Sequence, residues 1–203
     1  MHIFRTCVWA VTLAGVVFNV SASAETIGLW NFNEAEGTKI YDQSADSEEA
    51  DKVTFYDSPL YFNNDGTLGD GEGVGQPTWV AGGYEGTGYA LDFDASARDG
   101  YGDYIAIQDN MSHFPSDQIV IEAWIKPRSA NDWARIVDKQ SYILATRGET
   151  AGTHILQFRL RTEKDTYELQ SNSTIPLDTW THVKAVYDGR LQAIYINGEQ
   201  DAR

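Results

Sequence analysis

A tryptophan flanked by polar residues is the most promising ligand contact in this sequence. Asn131-Asp132-Trp133-Ala134-Arg135 places an indole in a polar segment rather than in an apolar pattern. Sugar binding needs an exposed aromatic face for the C–H groups of a pyranose ring, and polar groups for its hydroxyls. We therefore predict ligand contact by Asp132, Trp133 and Arg135. The alternative is that the indole packs down on the edge of the fold, because aromatic side chains are usually buried.

Three aspartates are candidate metal ligands because they lie in segments rich in oxygen-bearing side chains. Asp42 begins the run Asp42-Gln43-Ser44-Ala45-Asp46, and Asp94 and Asp103 flank a glycine-containing loop. Ca²⁺ binds about six to eight oxygens from carboxylates, amides and carbonyls. The predicted calcium ligands are therefore Asp42, Asp94 and Asp103. The alternative is turn capping, since aspartate side chains often bond to their own backbone in turns.

The carboxylates and histidines do not have the spacing that catalysis needs. Retaining glycoside hydrolysis requires two carboxyl groups about 5 Å apart. Glu48 and Glu49 are adjacent in a predicted loop, and Glu122 is alone on its predicted strand. No serine or cysteine nucleophile motif accompanies the scattered histidines, His113, His154 and His182. The sequence thus predicts a binding protein rather than an enzyme.

The first residues predict export. Arg5 precedes an apolar run from Cys7 to Val20, and Ser21-Ala22-Ser23-Ala24 contains the small residues that signal peptidases recognise. The run is too short for a transmembrane helix, which needs about 20 residues. We predict a signal peptide over residues 1–24 and a secreted or cell-surface location, or the periplasm in a bacterium. Cys7 is the single cysteine, so the mature chain would have no disulfide.

The charge balance limits the partners. The chain has 15 Lys and Arg against 30 Asp and Glu, a formal net charge of −15. Nucleic acids and anionic membranes are bound by positive charge, so neither is an expected partner. For most of these carboxylates, keeping the protein soluble is a sufficient explanation.

Periodicity after Glu25 is typical of β-strands. His154–Arg161 alternates, with Leu156, Phe158 and Leu160 on one face. Residues 119–125 are richer in apolar residues on both faces, which predicts a central strand. Many short strands with turn residues between them predict an all-β, antiparallel two-sheet sandwich.

The end of the chain predicts two hairpins. Trp180–Tyr187 and Leu191–Ile196 are joined through Asp188-Gly189, and Asn197-Gly198 is a second tight-turn signal. Only Glu199–Arg203 follows that turn, which is too short for a full returning strand. We therefore expect a fragment whose C-terminal strands are missing. We predict one domain over residues 25–203, in which the acidic, weakly apolar residues 45–63 are a surface insertion.

A series of short segments supports a family assignment. In chain order they are Gly28-Leu29-Trp30-Asn31-Phe32-Asn33-Glu34, Gly37-Thr38, Asp42-Gln43-Ser44, Asn64-Asp65-Gly66-Thr67-Leu68, Pro77-Thr78-Trp79, Gly86-Thr87-Gly88-Tyr89-Ala90-Leu91-Asp92-Phe93-Asp94, Asp103-Tyr104-Ile105, Ile121-Glu122-Ala123-Trp124-Ile125-Lys126-Pro127, Arg135-Ile136-Val137-Asp138-Lys139, Trp180-Thr181-His182-Val183, Tyr187-Asp188-Gly189 and Tyr195-Ile196-Asn197-Gly198. In this order and spacing they resemble the laminin G-like jelly-roll domains of the concanavalin A-like lectin/glucanase superfamily. The resemblance specifies a fold better than a function, because one fold supports many activities.

The resemblance has further implications. Such domains often hold a structural Ca²⁺ between the N-terminal segment and the last strand, and Asn33 and Glu34 match the N-terminal part of that pattern. The catalytic Glu-x-Asp-x-x-Glu pattern of glucanases with this fold is absent. Four tryptophans occupy family positions that are expected in the core: Trp30, Trp79, Trp124 and Trp180. The sequence departs from the family in the insertion and in the strands expected after Asn197-Gly198.

Three functions are compatible with these observations. The first is an extracellular recognition module for a glycan or another extracellular ligand, stabilised by calcium and part of a larger protein. The second is a non-catalytic accessory domain of a polysaccharide-degrading enzyme. The third is a structural adhesion or spacer module without a small ligand.

Overall fold

The described residues form strands and one short 3-10 helix, Tyr84–Gly86. The computed structural model describes residues 3–7, 11–20, 25–44, 54–55, 58–59, 64–94, 102–108, 118–129, 133–148 and 153–203. Its strands are β1 (Ile3–Cys7), β2 (Val11–Val20), β3 (Glu25–Trp30), β4 (Lys39–Ile40), β5 (Thr54–Phe55), β6 (Ser58–Pro59), β7 (Gly66–Leu68), β8 (Thr78–Ala81), β9 (Tyr89–Asp92), β10 (Tyr104–Gln108), β11 (Ile119–Pro127), β12 (Ala134–Lys139), β13 (Tyr142–Gly148), β14 (His154–Arg161), β15 (Thr166–Gln170), β16 (Thr181–Tyr187), β17 (Gln192–Ile196) and β18 (Glu199–Ala202).

These strands form an antiparallel β-sandwich of the jelly-roll kind. One layer is an eight-stranded sheet in the order β18-β17-β16-β11-β2-β9-β8, with β3 also paired to β2. Two four-stranded sheets, β1-β10-β7-β4 and β12-β13-β14-β15, adjoin where β1 contacts β12. The fold class predicted from alternation and turn residues is confirmed.

A single hydrophobic core lies between the layers. Ile121 of β11 and Val183 of β16 enter it from the large sheet, and Leu144 of β13 and Phe158 of β14 enter it from the other layer. All four side chains are fully buried. Burial of one such side chain stabilises the folded state by about 1.5–3 kcal/mol, so this core is the main source of the fold's stability.

Strand bounds agree closely with the periodicity of the sequence. β14 spans the predicted residues 154–161, and Leu156 and Phe158 are fully buried while Leu160 is partly buried. The turn at Asn197-Gly198 is followed by β18, a short strand that pairs with β17. The returning strand after this turn is therefore formed by Glu199–Ala202.

The segment predicted as a signal peptide is extended in the structure. β2 (Val11–Val20) pairs with β11 on one side and with β3 and β9 on the other. It thus occupies an internal position in the large sheet. Within the predicted insertion 45–63, β5 and β6 form a small hairpin, and the rest of the insertion lies outside the described residues.

Candidate functional site

Trp133, the sequence-predicted ligand contact, packs against two arginines. The guanidinium carbon of Arg147 lies 5.1 Å from the centroid of the indole ring and that of Arg159 lies 4.7 Å from it. The side chain is partly exposed and its backbone has φ 63°, a left-handed conformation that is unfavourable for a bulky residue. Arg135 forms an ion pair with Asp138. Asp132 lies outside the described residues.

The three predicted metal ligands occupy two places. Asp103 accepts a hydrogen bond from the backbone N–H of Asp94 at 2.7 Å, and its own N–H donates to the carbonyl of Asp94 at 2.9 Å. Asp42 lies after β4, where its Oδ1 accepts the N–H groups of Leu29 and Ser44, each at 2.9 Å. Within the described ranges no three His, Cys, Asp or Glu side chains are grouped to hold a metal. Asp42, Asp94 and Asp103 therefore do not converge on one site.

Asp42 nevertheless retains a property of a cation ligand. The residue is 8% exposed, and its Oδ2 has no hydrogen-bond partner. A buried carboxylate oxygen without a partner is unfavourable, because it loses its hydration on folding. A cation bound to Oδ2 would compensate for the lost hydration.

The outward faces of β11 and β16 carry a second and larger candidate site. On β11 the core residues alternate with partly exposed ones, so Glu122 and Trp124 both face away from the core. In the antiparallel register Trp124 lies opposite His182, and Glu122 lies opposite Lys184. Paired residues on neighbouring strands project from the same face of the sheet. These four side chains consequently form one patch.

Aromatic rings line a groove that includes part of this patch. The groove is open, has a volume of about 520 Å³, and is lined by Tyr84, Trp124, Trp180, His182, Asn197 and Gly198. The rings of Tyr84 and Trp124 are stacked, with centroids 3.4 Å apart and an interplanar angle of 18°. The His182 ring is tilted by 50° to Trp124 at a centroid distance of 5.2 Å. The groove thus combines apolar ring faces with polar edges.

The turn after β17 fixes the polar end of the groove. Asn197 accepts a hydrogen bond at Oδ1 from the backbone N–H of His182 at 3.0 Å, and its own N–H donates to the His182 carbonyl at 2.8 Å. Both turn residues have positive φ, 51° for Asn197 and 86° for Gly198. Asn-Gly is the residue pair that best tolerates this tight hairpin turn. The sequence signal for the turn therefore also positions a groove residue.

Glu122 balances the charges next to the groove. Its carboxylate lies 3.3 Å from His182 Nε2 and 2.8 Å from Lys184 Nζ. The hydrogen bond from His182, together with Lys184, outweighs the opposing effect of burial and lowers the pKa of Glu122 to about 2. The carboxylate is ionised at neutral pH, so this trio does not present one strong charge to a ligand.

Trp124 and Trp180 correct the sequence-based assignment to the core. Of the four family-position tryptophans, Trp30 is buried at 2% exposure, whereas Trp124 and Trp180 are only partly buried and line the groove. Trp79 is also partly buried and packs against the core. Alternation along the strand could have predicted the outward position of Trp124, because Trp124 lies on the same strand face as the charged residues Glu122 and Lys126.

The described strands thus form a two-layer antiparallel sandwich with an aromatic groove on the outer face of one sheet. Residues 99–203 match the laminin G-like family model described as the concanavalin A-like lectin/glucanases superfamily. The chain belongs to this superfamily. No significant similarity to a curated protein or to a solved structure was found. The described strands and turns include no helix long and apolar enough to cross a membrane.

Proposed function

We propose that this domain is an extracellular recognition module that binds carbohydrate through the groove between Tyr84 and Asn197. The observation that carries the proposal is the open groove lined by Trp124 and Trp180, with His182 and Asn197 at its edge. Small-ligand sites typically combine such apolar walls with a few fixed polar groups. A pyranose ring matches this pattern, with C–H groups on its face and hydroxyls around its rim.

The charges near the groove favour a neutral sugar. Glu122, His182 and Lys184 interact with one another, so a carboxylated or sulfated ligand would have to disrupt these contacts. The net charge of −15 also disfavours anionic ligands in general. We therefore expect neutral oligosaccharides to bind more tightly than acidic ones.

The proposal is tested by comparing Trp124→Ala with Trp133→Ala. A glycan array identifies the oligosaccharides that bind, and calorimetry then measures their affinity. In Trp124→Ala the affinity is expected to fall by at least about tenfold, because the stacking surface is removed. Trp133→Ala is the matched control, since its indole lies on the other layer against Arg147 and Arg159.

Three outcomes are informative. Loss of binding in Trp124→Ala alone supports the groove. Loss of binding in Trp133→Ala alone would place the binding site at Trp133, the ligand contact predicted from the sequence. A wild-type protein that binds no glycan on the array would contradict carbohydrate recognition and favour an adhesion module without a small ligand.

We also propose that the domain is not catalytic. Glu122, the carboxylate beside the groove, is held ionised by His182 and Lys184. A general acid in glycoside hydrolysis needs the opposite, a pKa raised toward neutrality. This reasoning supports a binding module, alone or attached to an enzyme.

Calcium is proposed as a stabilising ligand at Asp42, on the evidence of its buried and unpartnered Oδ2. Ca²⁺ at a concentration of about 100 times its Kd is expected to raise the melting temperature by about 5 °C relative to the protein in EDTA. Asp42→Asn, which keeps one oxygen for the Leu29 and Ser44 amides, should abolish the shift. An equal Ca²⁺ shift in Asp42→Asn, or none in the wild type, would contradict the assignment.

A further inference from the structure

The stacking face of Trp124 is covered by a residue of the same chain. Tyr84 lies on the indole at 3.4 Å between ring centroids and nearly parallel to it. Flat stacking of this kind is the contact expected between an indole and a sugar ring. His182 approaches Trp124 with a tilted ring, so it does not provide a second flat stacking surface. Tyr84 therefore occupies the place on Trp124 where a ligand ring would bind best.

Tyr84 lies in a glycine-rich loop. The loop of residues 82–88 connects β8 to β9 and contains four glycines. Gly82, Gly86 and Gly88 have φ values of 82°, 74° and 65°, which glycine adopts at no steric cost. Such residues can absorb backbone rotation on either side of Tyr84.

The loop is closed through its backbone. Two backbone hydrogen bonds close it, Gly82 N–H to the Gly88 carbonyl at 3.0 Å and Gly86 N–H to the Gly83 carbonyl at 2.9 Å. Its 3-10 turn has no side-chain cap. Glu85 has φ 67°, a left-handed conformation that is strained for a residue with a side chain. Movement of the tip would release this strain, and Tyr84 is already 36% exposed.

We propose that Tyr84 is a displaceable cover of a single pyranose subsite on Trp124, and that a neutral sugar ring with an apolar C–H face replaces it. This inference rests on the proposed function. The ligand must be a ring because it takes over a flat stack, and it must be neutral because the adjacent charges are paired with one another. When a binding-competent state is only partly populated, the apparent affinity is reduced by that population.

The test is calorimetry of wild type, Tyr84→Ala and Tyr89→Ala with cellohexaose, laminarihexaose, xylohexaose and mannohexaose. Removing the cover is expected to tighten binding of at least one of these probes by roughly 3- to 10-fold, the range expected for loss of one competing aromatic stack. Tyr89→Ala is the matched control, because Tyr89 is a neighbouring tyrosine with 39% exposure that does not line the groove. Melting temperatures confirm that each variant is folded.

The outcomes separate this inference from the proposed function. Tighter binding in Tyr84→Ala, with loss of binding in Trp124→Ala, supports both. Weaker or unchanged binding in Tyr84→Ala, with loss in Trp124→Ala, would overturn the cover and leave the groove as the sugar site. If neither the wild type nor Tyr84→Ala binds any probe, the proposed function and this inference both fail.

Discussion

The neighbours of Glu122 explain why its carboxylate is ionised and why it is unsuited to act as a general acid. It belongs to a strand of the large sheet, but it faces outward, where β16 places His182 and Lys184 within hydrogen-bonding distance. Because the pKa of Glu122 is about 2 in the folded state, its ionised carboxylate stabilises the folded protein relative to the unfolded chain. The same contacts orient His182 at the edge of the groove.

This coupling predicts a pH-dependent stability difference between the wild type and Glu122→Gln. Because the folded pKa is about 2 and the ordinary value is 4.5, the stabilisation is complete above about pH 4.5 and is lost as the pH falls toward 2. We expect the wild type to be more stable at pH 7 by about 1–2 kcal/mol, a value reduced for partial solvent exposure. Urea unfolding at pH 7, 4 and 3 measures this difference, and a difference that grows on acidification would contradict the coupling.

Among the elements, β14 and β11 show what alternation can and cannot predict. From Leu156 to Arg161 in β14 apolar and polar residues alternate, so the buried positions Leu156 and Phe158 followed from the sequence, whereas the burial of the polar Gln157 did not. In β11 tryptophan and valine are apolar but face outward, and the core assignment of Trp124 came from its family position rather than from alternation along the strand. The groove also depends on which strands become neighbours, and a pairing of β11 with β16 is set by the whole fold rather than by either segment.

The burial of β14 predicts the effect of a core truncation. Phe158→Ala is expected to lower the free energy of unfolding by about 3–5 kcal/mol, because it leaves a cavity opposite Leu144. Arg161→Ala on the same strand is the control; its side chain is exposed, and the expected change is within about 0.5 kcal/mol. Denaturant unfolding measures both values. A loss below about 1 kcal/mol in Phe158→Ala would argue against its place in the core.

For the molecule as a whole, the sandwich could be predicted because turns and alternation recur along most of the chain. The assembly of the large sheet could not. The sequence separates residues 1–24 from the domain as an export signal, whereas the structure pairs Val11–Val20 with β11 inside that sheet. An apolar run suits both a signal peptide and an internal strand, since both remove its side chains from water, and periodicity does not distinguish them.

The predicted cleavage is tested by intact mass spectrometry of the protein recovered from the culture medium of cells that express the full chain. The small residues Ala22 and Ala24 predict cleavage after Ala24, so the secreted chain is expected to begin at Glu25. Ala24→Arg should block processing, whereas the conservative Ser23→Ala should not. A secreted wild-type chain that begins at Met1 would show that β2 is a permanent strand. A chain that starts at Glu25 would lack β2, so another strand would have to pair with β11 in its place.

The outer edge of β15 has a consequence for behaviour at high concentration. In the described part of the chain β15 ends its four-stranded sheet, and Glu168 in this strand is held by Arg159 and Gln157, each at 2.7 Å. Glu168 and Arg159 thus form an ion pair across β14 and β15, next to the edge where a strand from another molecule would have to pair. Charged residues on end strands are a general defence against edge-to-edge aggregation. The charged pair therefore disfavours fibril-like growth at this edge of the sheet.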